Sequence, residues 1–240
     1  MYPALIFHSF NNNPYSDKFY DLRIKNFISL IDFLSKKINS KKITITFDDG
    51  FRSIIPAVEY SLKRGYKTIA YIITDYIDKD GFLTKKDIKY LHNIGCEIGS
   101  HSKSHRNLSK VGNDVLKIEL IESKKLLENI IGEKVNHFSF PYGSHNNISI
   151  RKAKNIYRFC ALSRPNFFKE KNIIGRISIN SINCNKHDNV LSLIKKKISY
   201  RYIIRLFISY ILKKCLPNKS YIFLKNLITN NKSQDVFNGN

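Results

Sequence analysis

The chain is expected to fold as α/β, with parallel strands joined by helical crossovers, and two observations carry that expectation. Short runs of β-branched and aromatic residues alternate along the chain with stretches of helical apolar spacing. The residues best suited to chemistry, His8, Asp48, Asp49, His101 and Tyr142, each follow directly on one of the strand-like runs. Parallel α/β folds gather such positions on one face. An open doubly wound sheet and a barrel both satisfy this pattern.

The elements follow in order. Residues 4–7 form a short apolar run ending at His8. After a polar loop, Ile24, Phe27, Ile28, Ile31 and Leu34 fall at helical spacing and lead into the run that begins at Ile43. Residues 53–65 read as a second helix: Ser53 can cap it, Pro56 is tolerable in its first turn, and Gly65 suits its C-terminal end. A strand is expected over residues 67–73, then a helix capped by Thr84 with Asp87 three residues on and stopped by Gly95. Residues 96–99 are strand-like again. Leu116, Leu120, Leu127 and Ile131 stripe a longer helix ended by Gly132, and residues 136–140 return to a strand. Residues 149–157 look helical, and 158–162 and 173–179 are the last expected strands.

The strand ends carry three motifs. The first is I-T-I-T-F-D-D-G, residues 43–50, a buried run closing in two adjacent carboxylates and a glycine. Side chains alternate along a strand and its immediate exit, so Asp48 and Asp49 diverge and can take two roles, one on a cation and one on a proton. Alone, Asp-Asp-Gly reads rather as an ordinary turn, since Asp and Gly are favoured turn residues. The second is G-S-H-S-K-S-H, residues 99–105, whose two histidines four apart can chelate one metal on a helical turn or tight loop, with an acid from elsewhere. The third is F-S-F-P-Y-G, residues 138–143, a turn that could aim the Tyr142 N–H into the same region or simply pack a tyrosine on the surface.

T-F-D-D-G, H-S-x-x-H and F-x-F-P-Y-G, in that order and at these separations, resemble the signature motifs of the polysaccharide deacetylases, the nodulation-type carbohydrate esterase family four. The resemblance covers roughly residues 3–179. It implies a distorted (β/α) barrel and one divalent metal ion, Zn2+ foremost with Co2+, Mn2+ or Ni2+ as substitutes, held by Asp49, His101 and His105. It further implies Asp48 as general base in hydrolysis of an N-acetyl group on a sugar, with the Tyr142 N–H stabilising the oxyanion. Many members supply the general acid from a late L-x-L-H motif. None follows Tyr142, and Leu5-Ile6-Phe7-His8 stands first instead, as in the permuted members acting on poly-N-acetylglucosamine. His8 is therefore the expected acid; His187, in a polar N-K-H-D-N stretch, is a second candidate and otherwise a solvated loop residue. The arginine that many members carry before the Pro-Tyr turn is missing. Arg176, in G-R-I-S-I, resembles an arginine found there in relatives lacking the first one and would orient Asp48, the alternative being a surface cation.

Composition bounds the rest. With 240 residues and 42% hydrophobic content, one sizeable domain plus a tail is expected: a catalytic domain over residues 1–189 and a basic, partly helical C-terminal extension over 190–240. The net charge of +22 would suggest nucleic acid or an anionic membrane as partner. That charge is mostly lysine accompanied by many Asn and Ile residues, a mixture AT-rich coding alone produces, so nucleic acid is not expected. Residues 193–224 contain no acid and mix apolar with basic residues, which suits packing on the barrel together with peripheral contact to anionic lipid. The first ten residues lack a basic n-region and a long apolar run, and no apolar run approaches the roughly 20 residues needed to cross a bilayer. A cytoplasmic protein, peripheral at most to the inner membrane face, is expected. Cys96, Cys160, Cys184 and Cys215 are widely spaced with no C-x-x-C pair, which fits a reducing compartment. The expected partner is an N-acetylated saccharide, a glycan or a lipid-linked precursor. A sugar-binding protein on the same fold without catalysis, and a basic membrane or nucleic-acid module, are the alternative functions.

Overall fold

Residues 4–164 and 171–195 are described by the structure, a computed structural model. The first strand, β1 (Ala4–Phe7), is followed by a two-residue ladder of β2 (Ser9–Phe10) with β3 (Asp21–Leu22). Then come α1 (Ile24–Lys37), β4 (Thr44–Phe47), α2 (Ile55–Lys63), β5 (Lys67–Ile72), α3 (Lys85–Asn93), β6 (Glu97–Ser100), α4 (Asn113–Ile131), β7 (His137–Ser139), α5 (Asn147–Ile156), β8 (Phe159–Leu162), β9 (Ile173–Ser178) and α6 (His187–Ile194). Strands β1, β4, β5, β6, β7, β8 and β9 pair in parallel in that order, and β9 pairs with β1, so the sheet closes into a seven-stranded barrel. Closure removes the exposed edges of an open sheet and settles the choice between sheet and barrel.

Period-two alternation sorts each strand's residues between two cores. Outward residues such as Leu5, Phe7, Ile45 and Phe47 join the larger core with Phe27, Leu30, Ile31 and Leu34 of α1. Inside the barrel a smaller cluster holds Ala4, Ile69, Tyr71, Ala161 and Ile174. The interior is narrow: a Cβ on Gly99 would come within 2.6 Å of the Tyr71 ring, so the glycine makes room for that ring.

Helix ends follow local chemistry. Thr84 and Asp87 form the capping box of α3, and Asn146 with Ser149 forms that of α5, moving its start two residues ahead of the expected one. Ser53, read from sequence as a cap, does not cap α2; its hydroxyl accepts the Phe10 N–H (3.1 Å) and ties the β2 loop to the barrel. His187 is not a solvated loop residue: it opens α6, its Nε2 is buried, and its ring lies 5.1 Å from that of Phe33 on α1. Val190 and Ile194 of α6 are buried, so the helix crosses position 190, where the extension was expected to begin. The rest of that basic segment, and Cys215, lie outside the described residues. Cys96 and Cys184 are buried free thiols, and Cys160 is buried as well. Among the described residues no helix is long and apolar enough to cross a membrane.

Candidate active site

Asp48 continues the β1–β4 ladder by donating its N–H to Phe7 O (3.0 Å), which sends its side chain into the barrel mouth. There it is buried and held by Arg176: Nη1 donates to Oδ1 (2.6 Å) and Nη2 to Oδ2 (2.9 Å). Arg176 is fully buried, not a surface cation. Its Nε donates to Leu162 O (3.2 Å), Nη1 also to Thr46 Oγ1 (3.2 Å), Nη2 also to Ser139 Oγ (2.7 Å), and its guanidinium stacks 5.0 Å over the Tyr71 ring. A planar fork with every donor satisfied fixes the carboxylate in orientation as well as charge. Burial alone would push the Asp48 carboxyl up, but Arg176 and then His101 outweigh it and hold it below the usual carboxylate range.

Asp49 turns the other way. Its backbone enters the left-handed region (φ 72°), and its Oδ1 lies 3.3 Å from His101 Nε2 and 3.4 Å from His105 Nε2. The divergence of the two acids is therefore physical, although Asp48 Oδ2 still comes within 3.9 Å of His101 Nε2. His101 follows β6 directly, and its Nδ1 donates to Ser139 O (2.8 Å), leaving Nε2 toward Asp49. His105 closes a tight loop, not a helical turn, in which Ser102 and His105 both have positive φ (68° and 60°).

A buried acid on α4 holds that loop. Glu119 accepts the N–H groups of Lys103 (2.9 Å) and Ser104 (2.8 Å) and the Ser104 hydroxyl. Glu119→Gln is expected to loosen the histidine loop and weaken divalent-cation affinity by about tenfold to a hundredfold, the usual cost of losing a group that orients ligands. Calorimetric titration with Zn2+ checks this, with the melting temperature read alongside.

Asp49 Oδ1 and one nitrogen each from His101 and His105 all lie within 4.8 Å of one another. One anionic oxygen and two imidazoles, one of them fixed in tautomer by a carbonyl, are a donor set suited to a zinc-type catalytic cation that keeps open positions. The charges agree. Burial would raise Asp49, yet the His101 hydrogen bond and the nearby imidazoles hold it far below its ordinary value. Burial lowers His105, with His101 adding to it, to about 4. For His101 burial is outweighed by Asp48 and Asp49, so it is raised.

His8 stands at the end of β1, its ring 4.5 Å from that of Tyr20, and its Nδ1 is buried without a hydrogen-bond partner among the described residues. Burial lowers its pKa against the opposing pull of Asp49 and Asp48, which brings it within the field of the same carboxylates. Tyr142 sits in the turn Pro141–Gly143 with φ 58°, 58% exposed, its ring 4.5 Å from that of His105. His8, Asp48, Asp49, His101, His105, Tyr142 and Arg176 thus gather at one end of the barrel, while His187 packs on Phe33 of α1 and His137 pairs with Glu97 (2.7 Å) at the opposite strand ends. Sequence reasoning missed Ser139, Thr46, Tyr71 and Glu119. The strand alternation turns Ser139 inward between Phe138 and Phe140, and Glu119 falls on the apolar stripe of α4 beside Leu116 and Leu120, so these two had a readable signal.

The family model for polysaccharide deacetylases matches residues 35–157, half of the chain, and that span contains Asp48, Asp49, His101, His105 and Tyr142. The chain belongs to the polysaccharide deacetylase family. Among its relatives, YxkH of Bacillus subtilis is 29% identical over 127 residues, covering 52% of this chain and 46% of the relative. A peptidoglycan-N-acetylglucosamine deacetylase of Bacillus cereus is 30% identical over 118 residues, covering 48% of this chain and 53% of the relative. The chain thus spans about half the length of the curated relatives it matches. In fold it is similar to a polysaccharide deacetylase from Bacillus cereus (TM-score 0.68, 22% identity, 78% of this chain and 67% of the other). It is also similar to the Streptococcus pyogenes deacetylase PplD in complex with acetate (TM-score 0.69, 17% identity, 80% and 96%). These likenesses extend beyond the family match to the closed barrel.

Proposed function

We propose that the chain hydrolyses an N-acetyl group on a saccharide, releasing acetate and leaving a free amine. The observation that carries this reading is the division of labour at the β4 exit: Asp48 is clamped by Arg176 while Asp49 faces two imidazoles. Membership of the family, and the peptidoglycan-N-acetylglucosamine deacetylase among its relatives, support an N-acetylated sugar as substrate. Asp49, His101 and His105 would hold a divalent cation, which when bound supplies Lewis acidity toward the acetyl carbonyl and acidifies a neighbouring water.

The chain's own residues then do the following. Asp48, kept ionised by Arg176, takes a proton from the attacking water as general base. The Tyr142 N–H, in its left-handed turn, donates to the oxygen on which negative charge develops. Losing one such donor typically costs about a hundredfold to a thousandfold in rate. His8, whose pKa burial lowers, would relay to the departing amine nitrogen the proton that Asp48 took from water, so that both side chains end in their starting forms. Its place on β1, next to β9, supports the comparison with permuted family members. The basic segment that follows α6 is proposed to make contact with an anionic membrane surface.

The test is acetate release from N-acetylglucosamine oligomers by the purified full chain, before and after chelation and again after reloading with Zn2+ or Co2+. Release that falls by at least about a hundredfold on chelation and returns on reloading is expected from the loss of a catalytic Lewis acid. Release indifferent to chelation would overturn the cation's part, and no release with any cation would overturn the activity.

A further inference from the structure

The end of the barrel opposite the catalytic carboxylates carries a cavity that the reaction above does not use. Lys67, Glu97, His137 and Phe159 are the first residues of β5, β6, β7 and β8. Parallel pairing of these neighbouring strands brings all four to the end away from Asp48 and His101. With Lys134, from the α4–β7 connection, and Arg158, just ahead of β8, they line a cavity of about 450 Å³. That is room for a small molecule or a headgroup.

The cavity's acids are already answered. His137 is buried, its Nε2 lies 2.7 Å from Glu97 Oε2, and Lys67 Nζ lies 2.8 Å from Glu97 Oε1. Burial would raise the Glu97 carboxyl, but the hydrogen bonds from His137 and Lys67 outweigh it and bring it down to about 2, an ionised carboxylate with both oxygens engaged. Glu133, the other acid at the cavity, lies 3.7 Å from His92. Lys134 and Arg158 are exposed, and neither makes an ion pair among the described residues. The Arg158 guanidinium lies 5.2 Å from the centre of the Phe159 ring, on which His137 also stacks (4.9 Å, 22°). A guanidinium resting on a ring keeps its N–H edge for a bidentate acceptor. Lys41 and Lys42 ahead of β4, and Lys171 ahead of β9, are exposed at the same end, so the field there favours an anion.

The chemistry selects among occupants. A planar ligand finds the Phe159 ring already taken up by His137 and Arg158. A metal ion would meet three cations, and among the described residues the close group of three ligating side chains is the catalytic one, not one at this end. A compact anion with several acceptor oxygens suits both the point charge of Lys134 and the fork of Arg158. We propose that this cavity binds a phosphate group through Lys134 and Arg158, against the wall that Lys67, Glu97 and His137 form. The phosphate belongs either to a soluble phosphorylated molecule or to an anionic phospholipid headgroup; a headgroup held here would leave the catalytic end facing away from the lipid surface. The site stands whether or not the chain is a deacetylase.

Two probes carrying the same phosphate monoester test it on the full chain: glycerol 3-phosphate by calorimetric titration, and phosphatidylcholine vesicles with and without phosphatidic acid by co-sedimentation. Wild type, Lys134→Gln, Arg158→Gln and Lys86→Gln are compared, with a thermal melt on each. Lys86 is an exposed lysine on α3, so its variant makes the same change in net charge away from the cavity. Lys134→Gln and Arg158→Gln are each expected to weaken phosphate binding at least about tenfold, the size of one lost charge-assisted hydrogen bond, and Lys86→Gln to bind as wild type does. A loss seen with glycerol 3-phosphate alone assigns the site to a soluble phosphorylated molecule. A loss that extends to the phosphatidic acid vesicles assigns it to a lipid headgroup. No binding of either probe by wild type, binding of both probes unchanged in Lys134→Gln and Arg158→Gln, or an equal loss in Lys86→Gln would overturn the site.

Discussion

Asp49→Ala is expected to abolish stoichiometric divalent-cation binding and to reduce acetate release by at least about a thousandfold, because it removes the one anionic donor of a three-donor set. His101→Ala should match it. This imidazole is buried, fixed through Nδ1 to Ser139 O, and 3.3 Å from Asp49, so no neighbouring side chain can stand in for it. The fold should survive both changes, since neither side chain belongs to either apolar core. Elemental analysis after gel filtration, with a thermal melt on each variant, reads the outcome. A variant that keeps its cation with wild-type affinity would show that the ligands lie elsewhere.

Arg176→Met carries the second large effect, on stability and on the pH profile together. Removing one partner of a buried, fully hydrogen-bonded ion pair leaves Asp48 without compensation and typically costs about 3–5 kcal/mol. The sign with pH follows from the pair. In wild type the Asp48 carboxyl is held below its ordinary value of 3.8, so its contribution to stability is present above that value and is lost as pH falls through the lower folded value. In Arg176→Met the burial that raises Asp48 loses its largest opponent, with His101 the main one left, so the acid limb of kcat/KM should move to higher pH. Urea denaturation at neutral pH and a pH–rate profile test the two halves separately. Arg176→Lys, which keeps the charge but not the fork, should fold better than Arg176→Met yet still lose rate. An acid limb unmoved in both variants would detach Arg176 from the ionisation of the base.

All seven barrel strands were legible as short runs rich in apolar, β-branched or aromatic residues between helical stretches, because strands covered on both faces by protein carry few polar side chains. The first strand was read with its observed bounds and β6 one residue early, while the others were read a residue long at one or both ends. Ile43 and Ile73 are buried and apolar but lie outside the ladders, since burial extends past the last paired residue. The β2–β3 ladder was illegible: its two-residue strands sit in a polar loop, and their pairing is pinned by Asp21, which accepts from the Ser9 hydroxyl and the Asn12 N–H. Helix α6 hid in a stretch whose first residues are polar, and only burial of Val190 and Ile194 gives it a core-facing side.

The site divides the same way. Asp48, Asp49, His101 and His105 sit in ordered motifs, and strand alternation was enough to expect the two acids to part. Arg176 lies 128 residues from Asp48, and nothing local to G-R-I-S-I says that its guanidinium is buried; only the resemblance to family members pointed there. Ser139 and Glu119 act through contacts that exist only once β7 and α4 are packed, so their partners could not be read from spacing. The expectations for residues 196–240 fall outside the described residues.

Two adjacent carboxylates at one strand end do different work, and Asp48→Asn separates the two roles. Cation content and acetate release are measured on the same sample of this variant after reloading with Zn2+. Retention of about one cation per chain with release lowered by at least about a thousandfold is the expected result, since the ligand set is intact and the base is gone. Loss of the cation, or release close to that of wild type, would contradict it.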